Sequence, residues 1–294
     1  MKFAIVALRR LGAAAAVFLT LLTPAFAEGP ALWRVDGGPE PVFLFGTFHL
    51  LPPEAEWQTP EIETAFERAD VLVVEVRLDS EAIAETQKVI KETAFLERGS
   101  SLRDYLSPED EAAYEKIGNR LGMYPAVLDN FRPWYASLLL TVALYQEQGF
   151  RPDSGAEAVL RRQARAAGMP VQQLETAREQ INFLAGLPEK VQVAMLKSVL
   201  HEAETVPEQI NALLNAWMSG DVELIDGLLN EGMREFPEVY DRLLVQRNRN
   251  WLPAIEKMIA DNNSYFVAVG SAHLVGKDSV TAMLREQGYE VEGP

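Results

Sequence analysis

Four residues with chemically useful side chains stand where apolar runs end. PVFLFGTFH closes on His49, VLVVEV carries Glu75, VQQLE closes on Glu175 and YFVAVGSAH closes on His273. The runs before His49, Glu75 and His273 are short and continuous, with branched and aromatic residues, as in strands buried on both faces. In open α/β sheets, sites form beyond the carboxyl ends of parallel strands, so a shared sheet is expected to bring the four groups to one rim. Two imidazoles with one or two carboxylates make a nitrogen and oxygen donor set suited to Zn, Mn, Co or Fe, with a position left for water. Such an ion acidifies water for attack on a carbonyl, while a carboxylate manages protons. The chemistry is metal-assisted hydrolysis. A glycine three residues before each histidine lets the backbone turn sharply or approach a ligand closely. The bland alternative is a pair of hydrogen-bonded turn histidines.

Glu75 lies in so apolar a run that an unpartnered carboxylate there costs several kcal/mol of desolvation, so it must meet a cation, a metal or dense hydrogen bonding, or stay protonated. Glu175 reads either as a site residue or as an acid capping the helix that starts near Thr176. Arg247 and Arg249 in QRNRN have the reach to meet an oxyanion or a buried carboxylate, or else form solvated ion pairs. His201 in SVLHEAETV lacks the second histidine of a HExxH helix, since Thr205 stands in its place, and reads as a plain helix residue. Ser271 lacks a GxSxG context, and no P-loop or dinucleotide fingerprint is present. The five tryptophans read as packing residues.

These groups must be held by a β-α-β frame. Thr59-Pro60-Glu61 signals a helix start, and Ile62, Ala65, Phe66 and Ala69 supply one apolar face between the first two strands. From about 80 to 167 the pattern is helical; within it Ser107-Pro108 opens one helix, Pro133 opens a largely buried one, and Gly168 is a stop. A short strand spans 169–175, helices return over 176–261, a buried strand spans 264–270, a last helix follows over 278–287, and 289–291 forms a final strand. The fold class is α/β: a core sheet built from the N- and C-terminal segments, interrupted by a large all-helical insertion within one domain spanning 28–294.

The chain has 294 residues, of which 48% are hydrophobic and 24% charged, a globular balance. A net charge of −16 argues against general affinity for nucleic acid or anionic lipid. The absence of cysteine removes thiol nucleophiles, disulfides, thiolate zinc sites and Fe–S clusters. Residues 1–27 carry Lys2, Arg9 and Arg10, an apolar stretch and Ala25-Phe26-Ala27, the form of a signal peptide cleaved after Ala27. The expectation is a periplasmic or secreted protein with no stable membrane insertion after cleavage.

LFGTFHLLP, VLVVEV, FRPWYASLL, GMPVQQLETAREQINFL, QRNRNW and FVAVGSAHLVG, followed by GYEV, resemble the TraB/GumN family with its YbaP-like bacterial members, across essentially the whole mature chain. The two GxxH motifs match Gly46 to His49 and Gly270 to His273, and the acidic strand end matches Glu75. The animal Tiki proteins, distant relatives with the paired GxxH, are regarded as divalent-metal-dependent proteases. The resemblance thus implies a divalent ion (Mn, Co or Zn) at His49, Glu75 and His273, and catalytic parts for Glu75, Glu175 and Arg247. It also implies a fold related to the erythromycin-esterase-like and ChaN-like proteins. Where the family often shows Gly-x-Asp, this chain has Gly155-Ala156-Glu157, whose longer side chain shifts its reach.

The leading expectation is a metal-dependent hydrolase, most simply a peptidase, acting on a peptide or small molecule. Two rivals stand beside it. One is a metal-free esterase-like hydrolase using a histidine as base, and the other a non-catalytic protein binding a peptide or a tetrapyrrole.

Overall fold

A computed structural model describes residues 29–294. The expected export segment over residues 1–27 lies outside the described residues. The apolar runs form strands: β1 Leu32–Asp36, β2 Val42–Thr47, β3 Val71–Val74, β4 Val171–Gln173, β5 Tyr265–Gly270 and β6 Glu290–Glu292. They join in one six-stranded sheet of order β4-β3-β5-β2-β1-β6. β4, β3, β5 and β2 are mutually parallel, while β1 runs antiparallel to β2 and to β6. The protein is therefore mixed α/β with a mixed sheet. β1, absent from the sequence expectations, forms a hairpin with β2 and lies between it and the edge strand β6, with Trp33 and Val35 alternating inward. Every residue of β2, β3 and β5 is buried, as expected of central parallel strands covered on both faces.

Thr59 caps the helix Pro60–Arg68 through Ile62 N, and Ile62, Ala65 and Phe66 bury against the sheet. Gly168 ends the helix Ala156–Ala167 with φ at 69°, a left-handed cap that glycine adopts without strain. Helices also cover Ser80–Thr93, Pro108–Arg120 and Pro133–Glu147 before β4, then most of 177–259 after it. No helix of the described residues is long and apolar enough to cross a membrane.

A second apolar core forms away from the sheet, where Tyr114 and Ile117 meet Ala136, Leu140 and Leu144, and Leu196 and Leu200. It places the helix Pro133–Glu147, which was expected to be largely buried. Only one of its faces is. Leu138 and Val142, four residues apart, look into a cleft instead, with Leu138 41% exposed. A helix apolar all round serves here as both core element and cleft wall.

His201 is not a site residue. Its Nε2 lies 2.8 Å from Asp110 Oδ1, and Lys197 Nζ lies 2.8 Å from Oδ2 of the same buried acid, tying Glu189–Glu202 to Pro108–Arg120. Asp110 also closes a capping box with Ser107. Asp110→Ala is expected to cost about 2 kcal/mol in urea denaturation, because cap and cation contacts are lost together.

Candidate metal centre and cleft

The parallel register puts the carboxyl ends of β2, β3, β4 and β5 on one edge of the sheet, and each delivers one group. Gly46 and Gly270 make this close approach possible. A Cβ on Gly46 would lie 3.0 Å from Ser271 Oγ, while one on Gly270 would lie 3.2 Å from Glu75 Oε1 and 3.3 Å from His49 Nε2. The glycine of each motif thus makes room for the other motif. Ser271 fastens the pair by donating to the Thr47 carbonyl at 3.0 Å.

The Nδ1 atoms of both imidazoles face supporting side chains. His49, at the cleft rim with 54% of its side chain exposed, sets Nδ1 3.4 Å from Glu157 Oε2. Glu157 is itself buried and paired with Arg161, so the longer acid still reaches the site. Desolvation pulls the His49 pKa down, but the hydrogen bond the ring donates to Glu157 and the charge of Glu75 outweigh that and raise it. His273 is buried, and its Nδ1 donates to Asn248 Oδ1 at 2.6 Å. Asn248 is held the right way round because its Nδ2 donates to the Asp278 carbonyl at 2.8 Å. The His273 proton therefore sits on Nδ1, and Nε2 is a lone pair that accepts from Arg247 Nη1 at 2.9 Å. Burial and the Arg247 charge push the His273 pKa down to about 3.

Glu75 accepts from Gly270 N at 2.7 Å through Oε1, and from Arg247 Nη2 at 2.6 Å and Gln180 Nε2 at 3.0 Å through Oε2. Burial opposes its charge, but Arg247 and His273 prevail and lower its pKa to about 2. Glu175 is a counter-ion behind Arg247, taking Nη2 at 2.6 Å, Nε at 3.1 Å and the Trp251 indole at 3.2 Å. Burial raises its pKa, and the neighbouring Glu75 charge adds to this against the pull of Arg247. The capping of the next helix falls to Thr176 and Glu179 instead. Arg249 is exposed and apart from the cluster.

Glu75, Arg247 and His273 thus form the floor of one cleft of about 650 Å³, with His49 at its rim and Glu175 just beneath the floor. Leu78, Leu138, Val142, Phe183 and Leu243 are among its walls. Sequence reasoning missed Gln180 and Asn248. An asparagine inside a helix, where its propensity is poor, was the available signal for Asn248.

The donors suit a divalent cation in kind: two imidazoles with Nδ1 anchored, a carboxylate, and a hollow beside Gly270 that a Cβ would fill. Among the described residues, however, no three His, Asp or Glu side chains stand in a ligating arrangement. The guanidinium of Arg247 already engages the His273 lone pair and both carboxylates.

The family profile of TraB/PrgY/gumN matches residues 31–293. The chain belongs to the TraB/PrgY/gumN family. It is 25% identical over 244 residues to the uncharacterized protein YbaP of Escherichia coli (strain K12), covering 82% of this chain and 87% of YbaP. It is also similar to a protein named metalloprotease TIKI homolog in Amphimedon queenslandica, at 22% identity over 88% of this chain and 60% of that one. Metalloprotease TIKI1 of Danio rerio is 23% identical over 92% of this chain and 64% of its own length. No solved structure matches significantly. Kinship with proteins named metalloproteases hints at a hydrolase.

Two expected outcomes follow from the anchoring of His273. Asn248→Leu frees the ring to change tautomer, so a changed ¹⁵N imidazole signature in NMR is expected. The pH dependence of stability has a definite sign. Because the His273 pKa is depressed on folding, the unfolded chain takes up its proton first, and stability is lost as pH falls from about 6.5 to about 3. Glu75 adds a loss between about 4.5 and about 2, whereas the raised His49 contributes stability at low pH that is lost as pH rises through its folded pKa. Denaturant melts across this range are expected to show a shallower acid slope in His273→Gln than in the parent.

Proposed function

We propose that the protein is an exported, periplasmic or secreted, metal-assisted hydrolase acting on peptides. One observation carries this reading: His49 and His273 come from opposite ends of the chain, each with Nδ1 on a supporting side chain, and both rings converge on the hollow beside Gly270. His49, His273 and Glu75 would hold the ion, with Mn, Co or Zn suiting the donor set. When bound, the ion supplies Lewis acidity for a carbonyl and lowers the pKa of water. Glu157 and Asn248 keep the imidazoles oriented. A carboxylate held near 2 is a weak base, which favours ligation over proton transfer for Glu75. Arg247 lines the cleft, where its positive charge would favour developing negative charge. The apolar walls exclude water and receive aliphatic side chains.

The test is metal content by mass spectrometry together with hydrolysis of a peptide library, before and after chelation, in the parent and in His49→Ala and His273→Ala. Near one equivalent of metal and chelator-sensitive cleavage, both lost in the variants, are expected. Metal-free, inactive parent protein would overturn the proposal. A second reading has its own observation: the rim pair His49 and Glu157 has the form of a general base steadied by a carboxylate, so chelator-insensitive ester hydrolysis lost in Glu157→Gln would favour it.

A further inference from the structure

Arg247 is bound more elaborately than a charge-neutralising residue needs to be. Its Nη2 serves Glu75 Oε2 and Glu175 Oε1, each at 2.6 Å, and Nε serves Glu175 Oε2 at 3.1 Å. Those three bonds already pair it with both carboxylates. Nη1 goes instead to the Nε2 lone pair of a neutral imidazole at 2.9 Å, and to the Leu243 carbonyl at 3.3 Å. Asn248 fixes the tautomer that makes this lone pair available. A group carrying one positive charge thus touches two of the three side chains that would hold an ion, Glu75 and His273, at the atoms facing it.

We propose that Arg247 is an exchangeable internal cation: it holds the place of the metal in the ion-free protein, and on ion binding it releases His273 Nε2 while keeping Glu175. The inference rests on the metal reading above. Three features suit the exchange. Glu175 holds the guanidinium through both oxygens, so losing the imidazole contact does not set Arg247 adrift. The Trp251 ring lies 4.9 Å and the Phe183 ring 5.5 Å from its central carbon, a track along which the planar group can turn. Arg247 also sits in the first turn of the helix Gln246–Ile259, directly after the π-helical segment Asp241–Val245, an irregularity that concentrates at working sites. On release, Nη1 becomes a donor facing the cleft. Ion binding and presentation of a donor for negative charge are then one event.

The experiment is calorimetric titration of the ion-free chain with Mn²⁺ and with Zn²⁺, in the parent and in Arg247→Lys. Lysine keeps the charge but has a single nitrogen, so it pairs with the carboxylates and leaves His273 Nε2 free. Exchange predicts that Arg247→Lys binds the ion about ten-fold more tightly than the parent, a difference that charge alone does not produce. Equal affinities would overturn the inference and leave the metal reading intact. Binding by neither protein removes both, and binding by the variant alone overturns the exchange, because the parent then takes up no ion to displace Arg247. NMR of the parent supplies a readout free of variants. The Arg247 to His273 contact is expected in the ion-free protein and absent with Zn²⁺, and its persistence with Zn²⁺ bound would overturn the exchange even if Arg247→Lys fails to fold.

Discussion

On the proposed hydrolase reading, Gly270→Ala is expected to lower turnover at least about 100-fold while leaving the protein folded. The backbone at Gly270 has φ −52° and ψ 135°, which any residue adopts, so alanine brings no conformational strain there. Its methyl would enter the hollow between Glu75 Oε1 at 3.2 Å and His49 Nε2 at 3.3 Å, and would lie 3.7 Å from His273 Cδ2. Those neighbours are polar side-chain ends at the cleft, able to yield a few tenths of an ångström. Stability should change by no more than about 1 kcal/mol. The same substitution at Gly46 meets Ser271 at 3.0 to 3.3 Å, inside the contact between the two motifs, and is expected to act on stability first. Thermal melts and peptide turnover measured side by side separate the two cases. An active Gly270→Ala protein would show that the hollow is not where the reaction occurs.

Arg247→Met is expected to cost about 3 to 5 kcal/mol, because Glu75 and Glu175 would then face each other buried without their shared cation. The double variant Arg247→Met with Glu175→Gln should recover part of that loss, since it removes one of the two stranded charges. Chemical denaturation of the four proteins in this cycle gives the coupling between Arg247 and Glu175. Additive losses would mean that the two side chains stabilise the fold independently, contrary to the geometry.

Much of this arrangement is legible in the sequence, and for a physical reason. The central strands are covered on both faces, so they appear as unbroken apolar runs, and the polar residues that follow them mark the sheet edge. Parallel pairing then brings His49, Glu75, Glu175 and His273 together without any knowledge of the helices. What the sequence leaves hidden is the partnership of each group. Nothing local in VQQLE tells that Glu175 lies under Arg247, or that Asn248 rather than its neighbour Arg249 faces inward. Those facts depend on the angle at which the helix Gln246–Ile259 crosses the sheet. The helix Pro133–Glu147 shows the opposite limit: apolar composition signals removal from water but does not distinguish a core from a cleft wall.

The interlocking of the two GxxH motifs bears on the order in which the chain is made. Ser271 reaches back across 224 residues to Thr47, and Gly270 N across 195 residues to Glu75. A ribosome that has released everything up to the middle of the last large helix has made His49, Glu75 and Glu175, yet β5, which lies between β2 and β3, does not exist. The helical core around Tyr114, Leu140 and Leu196 joins segments nearer in sequence and has no such wait. The sheet edge that carries His49, Glu75, Glu175 and His273 therefore assembles last, after β5 has been made.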